Sequence, residues 1–174
     1  MSTISVVHTT IDSPVGALTL VGGEDGLSGL YFPEHRRLPD PAGFGPRSVV
    51  GTGLSDFAEV EAQLESWFAG ERRVFDVPLA PTGTDFRRRV REQLAAIPWG
   101  ETRTYGQLAL ELGDVRLARA VGTANGSNPV SIIVPCHRVV GSAGALTGYA
   151  GGLDRKRFLL DHEAPATSVP GRLF

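Results

Sequence analysis

The sequence predicts an α+β protein: a small N-terminal α/β unit with an antiparallel sheet, linked to a mostly helical C-terminal unit containing a helix-turn-helix. Three observations carry this. Short β-rich runs parted by Gly and Pro turns open the chain, apolar residues at helical spacing dominate beyond residue 85, and a Pro/Gly stretch lies between the two. With 174 residues, 41% hydrophobic and 21% charged, the chain has the composition of a soluble globular protein with room for one domain or two small ones.

Residues 5–11 and 18–21 flank the Ser13-Pro14-Val15-Gly16 turn as a first pair of strands. Residues 29–32 follow a glycine-bearing turn at 24–26 as a third. PDPAGFGP (39–46) reads as a loop. Ser55 is the expected N-cap of a helix through Phe68, with Phe57, Val60, Leu64, Trp67 and Phe68 at helical spacing and Gly70 closing it. No catalytic constellation is visible in this unit. VPLAPTGT (77–84) reads as a linker, so the expected organisation is 1–76, a linker at 77–84, a second unit at 85–163, and a loosely held tail at 164–174.

The second unit opens with a helix over 85–97. Phe86, Val90, Leu94 and Ile97 share one face, Arg87, Arg88, Arg89 and Arg91 occupy the rest, and Pro98-Trp99-Gly100 ends it. Thr104 is placed to cap a short helix through Leu112, with Gly113 just past its end. A second helix runs from about Leu117 to Asn125, its core face Leu117, Val121 and Ala124. Two short helices and a brief turn fit a helix-turn-helix, a pattern also common in helical domains that bind no DNA.

The outward face of that second helix is bare: Ala118, Arg119, Gly122, Thr123 and Gly126. Reading bases in the major groove takes several long polar side chains. A smooth face instead suits close backbone approach to a duplex held by phosphates and shape. Tight packing inside the protein would call for the same small residues, and the sequence leaves both readings open. Charge leans toward a polyanion. Residues 1–84 carry five Arg against eleven Asp and Glu, whereas 85–163 carry eleven Lys and Arg against eight acids.

Cys136 is the single cysteine, so the chain forms no internal disulfide, which fits a reducing compartment. The N-terminus has no signal-peptide pattern and no apolar run approaches a membrane span, so the cytoplasm and no membrane partner are expected. The four histidines, at 8, 35, 137 and 162, show no zinc-ligand spacing, and no metal is expected. A lone intracellular cysteine is often an inert core residue. Here His137 and Arg138 adjoin it, at the end of Ile132-Ile133-Val134, read as a buried strand, and both favour a thiolate. Adjacent residues of an extended segment point to opposite faces, so His137 reaches Cys136 only through a turn or a bridging water. The loop GSAGALTGYAGG (141–152) can mould around a flat ligand or simply turn, and lacks a phosphate-loop ending. Asp154 is the expected cap of a closing helix through Glu163, with Phe158 and Leu159 inward. Glu163 either orients His137 or is a solvated helix-end carboxylate.

IDSPVGALTL, GTDFRRRV, IPWGETRTYGQLA and above all ARAVGTANGSNPVSIIVPCHRVVGSAGALTGYAGGLDRKRFLLDHE resemble the O6-alkylguanine-DNA alkyltransferase family over nearly the whole chain. The resemblance implies direct reversal of DNA damage. An alkyl group passes irreversibly from O6-alkylguanine, and by extension O4-alkylthymine, in duplex DNA to Cys136 after the base is flipped out, in a single turnover and without a cofactor. It implies an N-terminal structural unit of ribonuclease H-like fold. Cys136 would be the acceptor, activated through a water by His137, which Glu163 orients. Asn128 would hold the turn before the active-site segment, and Tyr105 would assist the departing guanine and, contacting DNA, help rotate the target phosphate. Arg119 would enter the base stack, with Ala118, Gly122 and Thr123 on a helix lying in the minor groove of double-stranded DNA. The Val139 carbonyl and Tyr149 would line the pocket, with Ala150 where many relatives have serine, and Arg138 would support it from behind. The same resemblance implies a protein monomeric when free, cooperative assembly on DNA being left open. The rival readings are a non-catalytic alkyl-lesion recognition protein, which Cys136 argues against, a sequence-specific regulator, which the bare helix argues against, and a cysteine hydrolase, for which no oxyanion site is evident.

Overall fold

The computed structural model describes residues 6–48 and 57–165. Among them no helix is long and apolar enough to cross a membrane. The chain divides into two compact units. The first comprises residues 1–83 together with Pro129–Ile133, and the second Thr84–Asn128 together with 134–174.

The first unit is built on a three-stranded antiparallel sheet of β1 (Val7–Ile11), β2 (Leu18–Gly23) and β3 (Gly26–Tyr31), in that order. Strand alternation sends Leu18, Leu20 and Leu30 fully inward, each such side chain contributing about 1.5–3 kcal/mol by leaving water. α1 (Ala58–Phe68) covers the core with Val60, Leu64 and Trp67. The expected cap Ser55 lies outside the described residues.

The supposed linker is tacked to the sheet: Leu27 N–H donates to the Pro78 carbonyl and Ala80 N–H to the Leu27 carbonyl. Gly26 makes this possible. Its φ is 128°, and a Cβ there would sit 2.4 Å from the Pro78 oxygen. Residues 129–133 join the same unit, with Leu30 donating to Pro129 O and Ser131 donating to Leu30 O.

The expected strand at Ile132-Ile133-Val134 is not formed. Ile132 is left-handed at φ 69°, and Ile133 N–H turns back to Ser131 O at 2.8 Å. An apolar β-branched run signals burial, and burial in a turn leaves the same trace as burial in a strand. A β-branched residue in this conformation costs on the order of 1–3 kcal/mol.

The second unit is helical. α2 (Asp85–Ala95) is capped by Thr84, whose hydroxyl accepts the Arg87 N–H, and it buries Val90 and Leu94. β4 (Arg103–Thr104) pairs in parallel with β5 (Val139–Val140). α3 (Tyr105–Glu111) starts from a full capping box of Thr104 and Gln107. α4 (Ala118–Gly126) buries Val121, Ala124 and Asn125, while Leu117 is half-buried ahead of it.

α5 (Leu153–Glu163) departs from expectation twice. Its N-cap is Gly152, at φ 91°, with no side-chain cap, and Asp154 falls inside the first turn. Phe158 is 41% exposed, because the inward stripe is Lys156, Leu159 and Glu163, at i, i+3 and i+7.

Candidate active site

Cys136 opens a 3₁₀ turn, Cys136–Arg138, that runs directly into β5. The thiol is therefore offered from a tight turn, not from the strand end that the sequence suggested. The turn is held from both sides. Asn128 Nδ2 donates to the Val134 carbonyl at 3.1 Å. Val139 N–H donates to the Cys136 carbonyl, which also receives Asn125 Nδ2 at 3.3 Å. Cys136 itself is 3% exposed, with Sγ 4.0 Å from the Tyr149 hydroxyl.

Behind the turn lies a buried charged chain. His137 Nε2 donates to Glu163 Oε1 at 2.8 Å. Arg138 grips the same carboxylate with two nitrogens, Nε to Oε2 at 2.9 Å and a terminal nitrogen to Oε1 at 2.7 Å, and reaches the Ile97 carbonyl with the other. Glu163 is thus no solvated helix end, being 2% exposed. Burial alone would raise its pKa. The hydrogen bonds and charges of His137 and Arg138 outweigh that and hold it below the ordinary carboxylate range. Burial drives His137 down, against the pull of Glu163, so the imidazole is neutral. A neutral ring that donates from Nε2 carries its lone pair on Nδ1, the atom equipped to take a proton. Arg138, expected to support the pocket from behind, is turned to the Glu163 carboxylate and the Ile97 carbonyl.

Lys156 is a buried cation coupled to Cys136 that sequence reading missed. It is fully buried, its Nζ donating to the Val139 carbonyl at 2.6 Å and the Thr147 carbonyl at 2.9 Å. Burial lowers its pKa to about 8, while the neighbouring Cys136 favours its charged form. Nζ also stands 6.0 Å from the centre of the Tyr149 ring. The signal was present: Lys156 lies three residues before Leu159 and seven before Glu163, on the inward stripe of α5.

The pairing of β4 with β5 sets Tyr105, the first residue of α3, one position past the residue paired with Val140. Its hydroxyl accepts from Thr147 Oγ1 at 3.4 Å, and Ala150 is half-buried beside buried Tyr149. On α4, Arg119 and Thr123 are exposed and Ala118 and Gly122 half-buried. The two glycines of this face are not demanded by internal packing. A Cβ on Gly126 would meet nothing within 4 Å, and one on Gly122 only an ordinary 3.7 Å contact with the Tyr105 ring. Among the described residues no group of three His, Cys, Asp or Glu is placed to hold a metal ion.

Residues 6–81 match the family described as 6-O-methylguanine DNA methyltransferase, ribonuclease-like domain, and residues 85–165 match the DNA binding domain of the same enzyme. The chain belongs to the 6-O-methylguanine DNA methyltransferase family. A methylated-DNA–protein-cysteine methyltransferase of Mycobacterium tuberculosis is 49% identical over 162 residues, 91% of this chain and 94% of the relative. The one from Methanosarcina acetivorans is 47% identical over 156 residues, 90% and 97% of the two chains. The crystal structure of Mycobacterium tuberculosis OGT in complex with DNA superposes with a TM-score of 0.83 at 48% identity, covering 92% of this chain and 96% of that one. Family membership gives the chain its reaction class, DNA repair by transfer of an alkyl group to protein cysteine, and Cys136 is the single cysteine present.

Proposed function

We propose that Cys136 is consumed as a reactant, one molecule of protein repairing one O6-alkylguanine, or one O4-alkylthymine, drawn out of duplex DNA. The carrying observation is the buried Cys136 turn backed by His137, Glu163 and Arg138, with one cysteine in the whole chain to receive the alkyl group.

The target carbon lies inside the base stack, so the nucleotide rotates out before reaction. The Cys136 proton passes through a water to His137 Nδ1, and Glu163 stabilises the imidazolium so formed. Sulfur attacks the alkyl carbon, the carbon–O6 bond breaks, and its electron pair leaves with guanine. Tyr105 meets the developing charge with its hydroxyl proton. The Val139 carbonyl has two lone pairs; Lys156 occupies one, leaving the other for the exocyclic amine of the base. Tyr149 and Ala150 complete the pocket, and Asn128 keeps the turn in register. A thioether does not hydrolyse under these conditions, so no second turnover follows.

DNA engages the α4 face that carries Ala118, Arg119, Gly122 and Thr123. Unfilled space at Gly126 favours backbone approach along the minor groove with little sequence preference, and Arg119 is the side chain long enough to fill the vacated stack. The free protein is a monomer and works in the cytoplasm.

Mixing the protein with a duplex bearing one O6-methylguanine should put one methyl group on the peptide containing Cys136, with lesion loss equal to the protein added. Cys136→Ser should transfer none. Multiple turnovers, or methyl on another residue, overturn the proposal. Arg119→Ala should slow repair of duplex DNA about tenfold while leaving reaction with free O6-benzylguanine within about twofold.

A further inference from the structure

The helix α4 has two faces with different duties. Outward it shows small residues and Arg119. Inward it buries Val121, Ala124 and Asn125, the last only 4% exposed. A buried helical position beside Val121 and Ala124 is one that packing alone fills with an apolar side chain.

Asn125 departs from that rule in a specific way. Its Nδ2 donates to the Cys136 carbonyl at 3.3 Å, while its buried Oδ1 has no hydrogen-bond partner among the described residues. The amide cannot be turned over, because that would set oxygen against oxygen. A half-satisfied buried amide destabilises a fold relative to an apolar residue of similar shape. The Cys136 carbonyl has no need of the contact either, since it already accepts the Val139 N–H. The bond therefore repairs no backbone deficit. What it does is tie the inward face of the DNA-facing helix to the residue whose sulfur reacts.

We propose that Asn125 is a positioning residue coupling α4 to the nucleophile. When α4 seats on DNA, the Asn125 amide fixes the Cys136 backbone, and so the direction of Sγ, relative to the extruded base. The inference rests on the acceptor role of Cys136. Arg119 and Asn125 lie about 9 Å apart along the axis of one continuous nine-residue helix, on different faces. A shift sensed at one end is thus delivered at the other. Asn125 exchanges no proton and forms no covalent bond; it acts through Cys136.

The test compares the full-length protein with Asn125→Leu. It measures single-turnover alkyl transfer from saturating O6-methylguanine duplex, reaction with free O6-benzylguanine, duplex affinity and thermal stability. Asn125→Leu should melt no lower than the parent and bind duplex within about twofold. Its transfer from bound DNA should fall at least about fivefold, a larger loss than with the free base, and the pH midpoint should not move. Asn125→Asp keeps the shape but loses the donor and places a carboxylate near sulfur, so its transfer should also fall and its pH profile should move upward.

Transfer at the parental rate by either folded variant overturns the proposal. So does an equal loss on both substrates accompanied by a lower melting temperature, which marks a structural role only. A parent protein that methylates no cysteine brings down the acceptor reading itself, whereas an active parent with unaffected variants overturns the coupling alone.

Discussion

The two units of this chain bury polar groups for opposite ends. In the first, buried Gln63 behaves as a piece of backbone. Its amide donates to Asp76 O at 2.9 Å and accepts from Asp76 N at 2.8 Å, so it holds the chain after α1 in place. Both ends of that amide are satisfied, and the contact serves the fold. In the second unit the buried groups are Asn125, Asn128, His137, Arg138, Lys156 and Glu163, four of them ionisable, gathered around one thiol. Removing charges from water is expensive even when they pair, and apolar residues would pack that space more stably. The contrast teaches that the first unit is optimised to stand and the second to react.

The largest test of this contrast is Glu163→Gln. It leaves buried Arg138 without its counter-charge and gives His137 a neutral amide in place of a carboxylate, so the fold should lose about 3 kcal/mol in denaturant unfolding and transfer should slow together with it. The pH dependence has a definite sign. Glu163 has a folded pKa below its unfolded one, so its stabilisation is complete above the unfolded value and disappears as pH falls through the folded one. His137 is also depressed, so the unfolded chain takes up its proton first and stability falls further as pH drops below about 6.5. In Glu163→Gln the carboxylate part of that acid sensitivity should vanish. A variant as stable and as acid-sensitive as the parent would break the comparison.

Next comes Lys156→Met. Below about pH 8 the buried ammonium faces Cys136 and favours thiolate over thiol. Its loss should displace the rate–pH profile of Cys136 alkylation to higher pH and slow the reaction at pH 7 by on the order of tenfold. The stability consequence runs the other way. Lys156 gives up its proton more readily folded than unfolded, so the parent should gain stability as pH rises from about 8 toward the ordinary lysine range. Lys156→Met should show no such gain. An unshifted rate profile would reduce Lys156 to a brace for the Val139 and Thr147 carbonyls.

The smallest effect belongs to Gln63→Leu in the first unit. With Asp76 exposed, water replaces much of what is lost, and stability should fall by about 1 kcal/mol. Alkylation of free O6-benzylguanine by the folded fraction should not change. A slowed reaction there would show that the first unit contributes to the chemistry.

Much of the fold was legible because it rests on local rules. Val90 and Leu94, or Val121 and Ala124, repeat at helical spacing wherever they occur, and the Thr104–Gln107 capping box is written within four residues. The misreadings share one cause. The 132–134 run was apolar enough for a strand, yet Ile132 is left-handed. Phe158 looked like core and is exposed because Lys156 takes the inward stripe. In both places the chain departs from what its side chains prefer locally, next to the reactive turn.

The sequence by itself determined the helices, the hairpin strands, the solitary thiol beside His137, and the motif that identifies the family, since each is set by residue type and short-range spacing. Only the tertiary structure decided which groups surround that thiol. Glu163 and Arg138 meet across twenty-five residues, Lys156 reaches back seventeen to Val139, and Asn125 forward eleven to Cys136. Such encounters depend on how helices dock, and a buried ion is stable only where its partners happen to converge. No single segment contains that information.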